Sequence, residues 1–218
     1  MYRVFIGFDP RQPVAYNICQ YSVVKNASHP ISVTPLILPQ LPIKRRGLTE
    51  FTFSRFAVPY LCGFRGKALF MDPDIIVTGD VCELIDMANP VKGSLHVMKE
   101  QPRFEWPSVM LFNNAKCKKL TPEFIDDTEN QLYDMEWADG IADFPPEWNN
   151  CIGIVEHDEN AKLYHYTEGI PCWPETCRLN PEPWLDLFAE ANSTVTWREL
   201  MGNSVHAERT LRRLNANN

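Results

Sequence analysis

Two aspartates, Asp72 and Asp74, stand one residue apart in "ALFMDPDIIVTGD", directly after an apolar run. Acidic residues are common in turns where a chain leaves the core, and that is one reading of the pair. The other rests on charge. In an extended segment residues two apart face the same way, so both carboxylates are expected to point into one volume while Pro73, which has no donor, points elsewhere. Without a counter-charge the pair would repel and one carboxyl would tend to protonate. A divalent cation removes that conflict. Hard oxygen ligands suit Mg²⁺ or Mn²⁺, which complete their shells with water and substrate phosphate. Asp72 and Asp74 are therefore candidate catalytic and metal-holding residues, with the ordinary polar turn standing beside that reading because D-x-D is a common pattern.

The elements that must position them can be read from periodicity. Residues 4–8 form a short apolar strand, "DPRQP" breaks the pattern, and Val14, Ile18 and Tyr21 recur at helical spacing behind Pro13. Residues 31–38 are extended and β-branched, residues 48–61 are predicted helical with a kink or early end at Pro59, and residues 68–71 form a third buried strand. Asp80 and Glu83 have capping-box spacing, which predicts a helix over 81–88 ending before Asn89-Pro90. Further strands are expected at 94–98, 109–113 and 162–166, and a helix start at Thr121-Pro122-Glu123. Alternation of this kind builds an α/β fold, a mainly parallel sheet flanked by helices, in a single domain spanning residues 1–218. Residues 174–218 are expected to be a helical tail, with Arg209, Arg212 and Arg213 near the end of a helix over 196–214.

In such a sheet ligands gather beyond the carboxyl ends of the strands. That singles out Phe8, Asp9 and Arg11 after the first strand, besides Asp72 and Asp74. Neither loop has a GxGxxG or GxxxxGK[ST] pattern, so a dinucleotide or P-loop site has no support. The formal net charge of −7 over 218 residues argues against a general nucleic-acid binder. The amino-terminal apolar run is too short for a signal peptide and no stretch approaches a membrane span, so a cytoplasmic protein is expected. The 7 cysteines include no CxxC pair and are expected to be reduced.

The segment "SRFAVPYLCGFRGKALFMDPDIIVTGDVCELI" (residues 54–85) resembles the nucleotide-sugar glycosyltransferases of GT-A fold, and among them family 8 and its phage and bacterial relatives. "VFIGFDPRQPVAY" (4–16), "FPPEWNN" (144–150) and "KLYHYTEGIPCW" (162–173) resemble further blocks of that family, in the same order. The resemblance implies a UDP-sugar donor, Mn²⁺ or Mg²⁺, and transfer of a hexose with retention of configuration. It implies that His165 joins Asp72 and Asp74 on the metal, imidazole shifting preference toward Mn²⁺. It places Phe8, Asp9, Arg11, Tyr16, Arg55, Pro73 and Gly169, with Asp72, around the nucleotide-sugar. Trp106, Trp148, Asn149 and Trp173 are candidate contacts to acceptor or sugar, since an aromatic ring can stack on a sugar face. The acceptor is open: a glycan, a lipid-linked glycan, a protein or a nucleic acid. No residue presents itself as a covalent nucleophile.

Two departures from the family pattern stand out. "GIPCW" lacks the lysine that would meet the diphosphate, leaving Arg11 or Arg178 to compensate, and "WPSVMLFN" (106–113) has Trp106 and Pro107 where Asn and Ser are common. Two other readings compete. "DPDII" is similar to the D-x-D-x-[TV] loop of haloacid dehalogenase phosphatases, although Ile76 takes the Thr/Val position. A catalytically silent sugar-binding module could also keep such a fold.

Overall fold

The computed structural model describes residues 1–87, 93–100, 102–172, 174–178, 180–192, 208 and 212. Its strands are β1 (Tyr2–Gly7), β2 (Ile31–Leu36), β3 (Lys67–Met71), β4 (Ile75–Val77), β5 (Leu95–Val97), β6 (Val109–Asn113), β7 (Ile141–Asp143), β8 (Asn150–Cys151) and β9 (Leu163–His165). Its helices of α type are α1 (Pro13–Asn26), α2 (Val58–Leu61), α3 (Val81–Met87), α4 (Pro122–Asp126) and α5 (Glu182–Ala191).

Strand periodicity builds two cores, one on each face of the main sheet. Val4 and Ile6, Leu69 and Met71, Val109 and Leu111 enter one cluster, which α1 covers with Tyr16, Cys19 and Val23. Phe5, Ala68, Phe70, Met110 and Phe112 enter the other, with Phe56, Leu132 and Trp137. A sheet buried on both faces needs apolar residues at consecutive positions, and β3 and β6 have them. The strand order is β2-β1-β3-β6-β5-β7. β1 pairs parallel with β2 and β3, and β5 parallel with β7, while β6 alone runs against its neighbours. This is the mainly parallel sheet with flanking helices that the alternation predicts.

A second sheet, β4-β9-β8, branches off immediately after β3. Its Ile76 and Tyr164 pack with Ala15 and Ile18 of α1 and Trp184 and Leu187 of α5 in a third cluster. Strands β4, β7 and β8, two or three residues each, carry too little pattern to be read from sequence.

The predicted helix over 48–61 is replaced by turns, a 3₁₀ turn at Ser54–Ala57 and the short α2. Thr52 Oγ1 accepts from Thr49 N at 3.0 Å, a side-chain bond that competes with helix formation. β2 ends at Leu36, before a 3₁₀ turn around Pro39. Thr121 caps α4, its Oγ1 accepting from Phe124 N at 3.3 Å. Asp80 Oδ1 accepts from Cys82 N at 2.9 Å at the start of α3, but Glu83 pairs with Lys162 instead of completing the box. The predicted tail helix over 196–214 lies outside the described residues, apart from 208 and 212.

Candidate active site

Asp72 leaves the end of β3 with its N–H donating to Ser108 O at 2.9 Å, beside the start of β6. Pro73 and Asp74 then turn the chain from the main sheet into the small one. The expectation of an extended 72–74 segment is corrected here: the convergence comes from the turn and from register. β4 opens with Ile75, whose partner on β9 is His165, and Asp74 O accepts from Tyr166 N at 3.0 Å. His165, read from sequence only through family resemblance, is thereby brought against Asp74, Nε2 to Oδ1 3.3 Å. One ligand atom each from Asp72, Asp74 and His165 lie within 4.8 Å of one another, the compactness a shared cation requires. Asp74 Oδ1 is buried and accepts no well-aligned hydrogen bond, so its contact with the imidazole is one of charge. Two carboxylates and an imidazole, one oxygen still seeking a partner, fit a divalent cation.

Charge compensation in the pocket is local. Arg55 Nη2 lies 3.0 Å from Asp72 Oδ1, with both side chains largely buried. The guanidinium also donates through Nη1 to Pro107 O at 2.7 Å and lies 5.0 Å over the Phe70 ring. Burial pushes the Asp72 carboxyl up to about 7, Arg55 working against that rise and the like charge of Asp74 adding to it. For His165 burial favours the neutral ring, but the Asp74 carboxylate outweighs it and holds the imidazole well above its ordinary value. The remaining ring nitrogen, Nδ1, faces Glu105 and Cys151, neither of which the sequence had singled out.

A cleft of about 370 Å³ opens beside these groups, lined by Asp9, Arg11, Gln12, Thr49, Phe51, Pro73 and Asp74. The structure thus brings four of the sequence-predicted residues to one cavity. Asp9 is held by Arg11, whose backbone N–H and Nε donate to Oδ1 at 2.9 Å and whose Nη2 donates to Oδ2 at 2.6 Å. Those bonds keep the Asp9 carboxyl below the usual carboxylate range. Phe8 packs edge-on against Tyr16, 5.5 Å between centroids, and Tyr16 itself is buried in the core under α1. Gly169 has φ +123°, a conformation that side chains with a Cβ rarely adopt. Arg178 is exposed.

The aromatic candidates divide. Trp148 is 0% exposed within the core cluster of Val4 and Leu69, with the Lys162 ammonium 5.2 Å over its ring. It has no face to offer a sugar, which corrects the expectation of such a contact: an indole in a proline-rich stretch serves as the plug between the two sheets. Asn149 is equally buried, its amide donating to Ser108 Oγ at 3.0 Å. Trp106 is half-buried with the Arg103 guanidinium 5.7 Å over its ring. Trp173 lies outside the described residues.

Solved structures that share this fold include glycosyltransferases. The galactosyltransferase LgtC superposes with a TM-score of 0.61 at 13% identity, over 90% of this chain and 99% of its own. GlyE of Streptococcus pneumoniae gives 0.67 at 18% identity, over 98% and 65%. The bifunctional WbbM gives 0.59 at 15% identity, over 97% and 51%. At these identities the likeness establishes the GT-A type fold. No family model matches the sequence. Among curated proteins, Protein CDI of Arabidopsis thaliana is 31% identical over 230 residues, covering 88% of this chain and 87% of its own. That level of identity over nearly the whole of both chains places this protein in the family of the plant Protein CDI.

Proposed function

We propose that the chain is a metal-dependent glycosyltransferase that moves a hexose from a UDP-sugar to an acceptor, with retention of configuration. The observation that carries this reading is the meeting of Asp72, Asp74 and His165 at the edge of the cleft that also holds Asp9 and Arg11. Mn²⁺ or Mg²⁺ held there would neutralise the negative charge that develops on a departing diphosphate. Asp72 and Asp74 serve as ligands and not as an acid and base pair. Arg55 aims Asp72 and favours its ionised form against the rise that burial imposes. Pro73 shapes the cleft floor, and Gly169 lets backbone approach the diphosphate. Asp9, fixed by Arg11, faces the nucleoside side of the cleft.

The lysine missing from "GIPCW" leaves a phosphate contact to be supplied. Arg11, 68% exposed along its side chain at the cleft, is the cation closest to that role among the predicted residues. Arg11→Ala and Arg178→Ala separate the two candidates: weaker UDP affinity in one only identifies the contact. The phosphatase alternative expects its aspartate after the first strand of the domain, whereas here the pair follows β3 and the β1 loop ends in the Asp9–Arg11 pair.

No helix among the described residues is long and apolar enough to cross a membrane. The likeness to LgtC, solved with donor and acceptor sugar analogues, supports a sugar acceptor before a nucleic acid, as does the net charge of −7. The deciding experiment is a panel of nucleotide-sugars with and without Mn²⁺, scored for released UDP. Metal-stimulated release from a UDP-hexose is the expected result. Phosphate release from phosphomonoesters without UDP-sugar turnover, or glycan binding with no UDP release, would reject it.

A further inference from the structure

Glu105 is a carboxylate placed where a core would ordinarily hold an apolar side chain. It enters from the short helical segment Arg103–Ser108 and is 4% exposed. A buried carboxylate is costly unless its oxygens find partners, and both do. Oε1 accepts from Thr167 Oγ1 at 2.8 Å, and Oε2 lies 3.4 Å from His165 Nδ1. The segment is anchored in turn: Ser108 Oγ donates to Glu105 O at 2.5 Å and Asn149 Nδ2 donates to Ser108 Oγ at 3.0 Å.

We infer that Glu105 is the positioning residue for His165, accepting the Nδ1 proton so that Nε2 is presented to the cation shared with Asp72 and Asp74. This rests on the metal reading proposed above. An imidazole ligates through one nitrogen, and the group bonded to the other selects the tautomer and fixes the ring plane. Here the two nitrogens face opposite ways, Nε2 to Asp74 and Nδ1 to Glu105. Cys151 Sγ, 3.5 Å from Nδ1, is the competing partner. A thiol is a weak acceptor beside a carboxylate. Thr167 completes the device. It lies two residues beyond His165, so one carboxylate grips both the ring and the chain that carries it, which restrains rotation of the ring about its side-chain bonds.

The test is Mn²⁺ affinity of the full chain without nucleotide-sugar, by calorimetry and by the electron paramagnetic resonance of free Mn²⁺, for wild type, Glu105→Ala, Glu105→Gln and His165→Ala. Glu105→Ala is expected to lose about 10- to 100-fold in affinity, as removal of such an outer partner does. Glu105→Gln keeps the shape, an acceptor for Nδ1–H and a donor for Thr167, and is expected to recover most of that loss. Mg²⁺ affinity should fall less than Mn²⁺ affinity in Glu105→Ala, because the imidazole matters less to the harder ion. A purely structural role would lower melting temperature in EDTA without this Mn²⁺-over-Mg²⁺ split. Mn²⁺ affinity unchanged in folded Glu105→Ala, while His165→Ala weakens it, overturns the assignment and leaves the metal site standing. Mn²⁺ binding unaffected by His165→Ala overturns the metal reading and the assignment together. If Glu105→Ala does not fold, Glu105→Met, which fills the same volume without a carboxylate to accept from Nδ1, decides in its place: a loss for Mn²⁺ larger than for Mg²⁺ supports the assignment, and wild-type values for both overturn it.

Discussion

His165 Nε2 and Asp74 Oδ1 face each other across 3.3 Å because Ile75, the residue after Asp74, is the register partner of His165 between β4 and β9. A pairing of backbone strands thus sets the distance between two side chains that lie 91 positions apart in the chain. Asp74→Asn tests what that pairing is for. It keeps the side-chain shape and relieves Asp72 of a like charge but takes from His165 the carboxylate it faces, so melting in EDTA is expected to fall modestly. The rise in melting temperature on adding Mn²⁺ should disappear, and with it metal-stimulated UDP release. Retention of both in Asp74→Asn would remove Asp74 from the ligand set.

How much of this was legible in the sequence follows from the range of the interactions. Asp72 and Asp74 announce themselves through spacing after an apolar run, and α1, β1, β3 and β6 through periodicity. His165 needed the family resemblance, because nothing in "KLYHYTEG" alone separates a ligand from a core histidine. Glu105 was invisible: it sits in a short 3₁₀ segment without a readable period and meets Thr167 across 62 positions. Trp148 was misread, since tryptophan beside prolines looks like a loop aromatic until two sheets are seen to close over it. The 48–61 segment was read as helix with a kink or early end at Pro59, whereas Thr49 and Thr52 bond to each other locally and Arg55 turns inward to Asp72 from a 3₁₀ turn.

The Arg55–Asp72 pair carries a stability prediction. Removing one member of a buried ion pair strands the other, at a cost of about 3–5 kcal/mol. Arg55→Met should therefore shift the urea midpoint strongly downward when measured in EDTA. Arg55→Met with Asp72→Asn, which leaves no buried charge to strand, should recover a substantial part of the loss. Equal midpoints for the single and double variants would show that the other partners of Arg55, the Pro107 carbonyl and the Phe70 ring, account for its contribution.

Thiol reactivity checks the packing independently of any ligand. Cys172 and Cys177 are exposed, Cys62 is half-buried, and Cys19, Cys82, Cys117 and Cys151 are buried. Burial also raises the thiols of Cys19, Cys117 and Cys151, Cys117 to about 12, which suppresses the reactive thiolate. Reaction of the native protein with a chromogenic disulfide should show two fast thiols and a slower third. The other four should react only on unfolding. Fast modification of Cys151 would contradict the closed surroundings of the His165 ring.

Asp80 supplies the prediction for pH. Burial by itself would raise its carboxyl, but hydrogen bonds from Ser28 N and Cys82 N to Oδ1 outweigh that and hold it below its ordinary value. A depressed carboxyl stabilises the fold fully above the unfolded value of about 3.9 and loses that contribution as pH falls through the lower folded value. Asparagine caps a helix about as well as aspartate but does not titrate, while alanine loses about 1 kcal/mol of capping. At pH 7 Asp80→Ala should therefore be destabilised by about that amount and Asp80→Asn much less. Chemical denaturation of wild type and Asp80→Asn from pH 7 downward should give a constant stability difference until the pH approaches the carboxylate range. Below it the two curves should draw together as wild type loses the charge that the Ser28 and Cys82 N–H groups favour. Parallel curves through that range would mean that Asp80 titrates alike in the folded and unfolded chain, and that these bonds do not distinguish carboxylate from carboxylic acid.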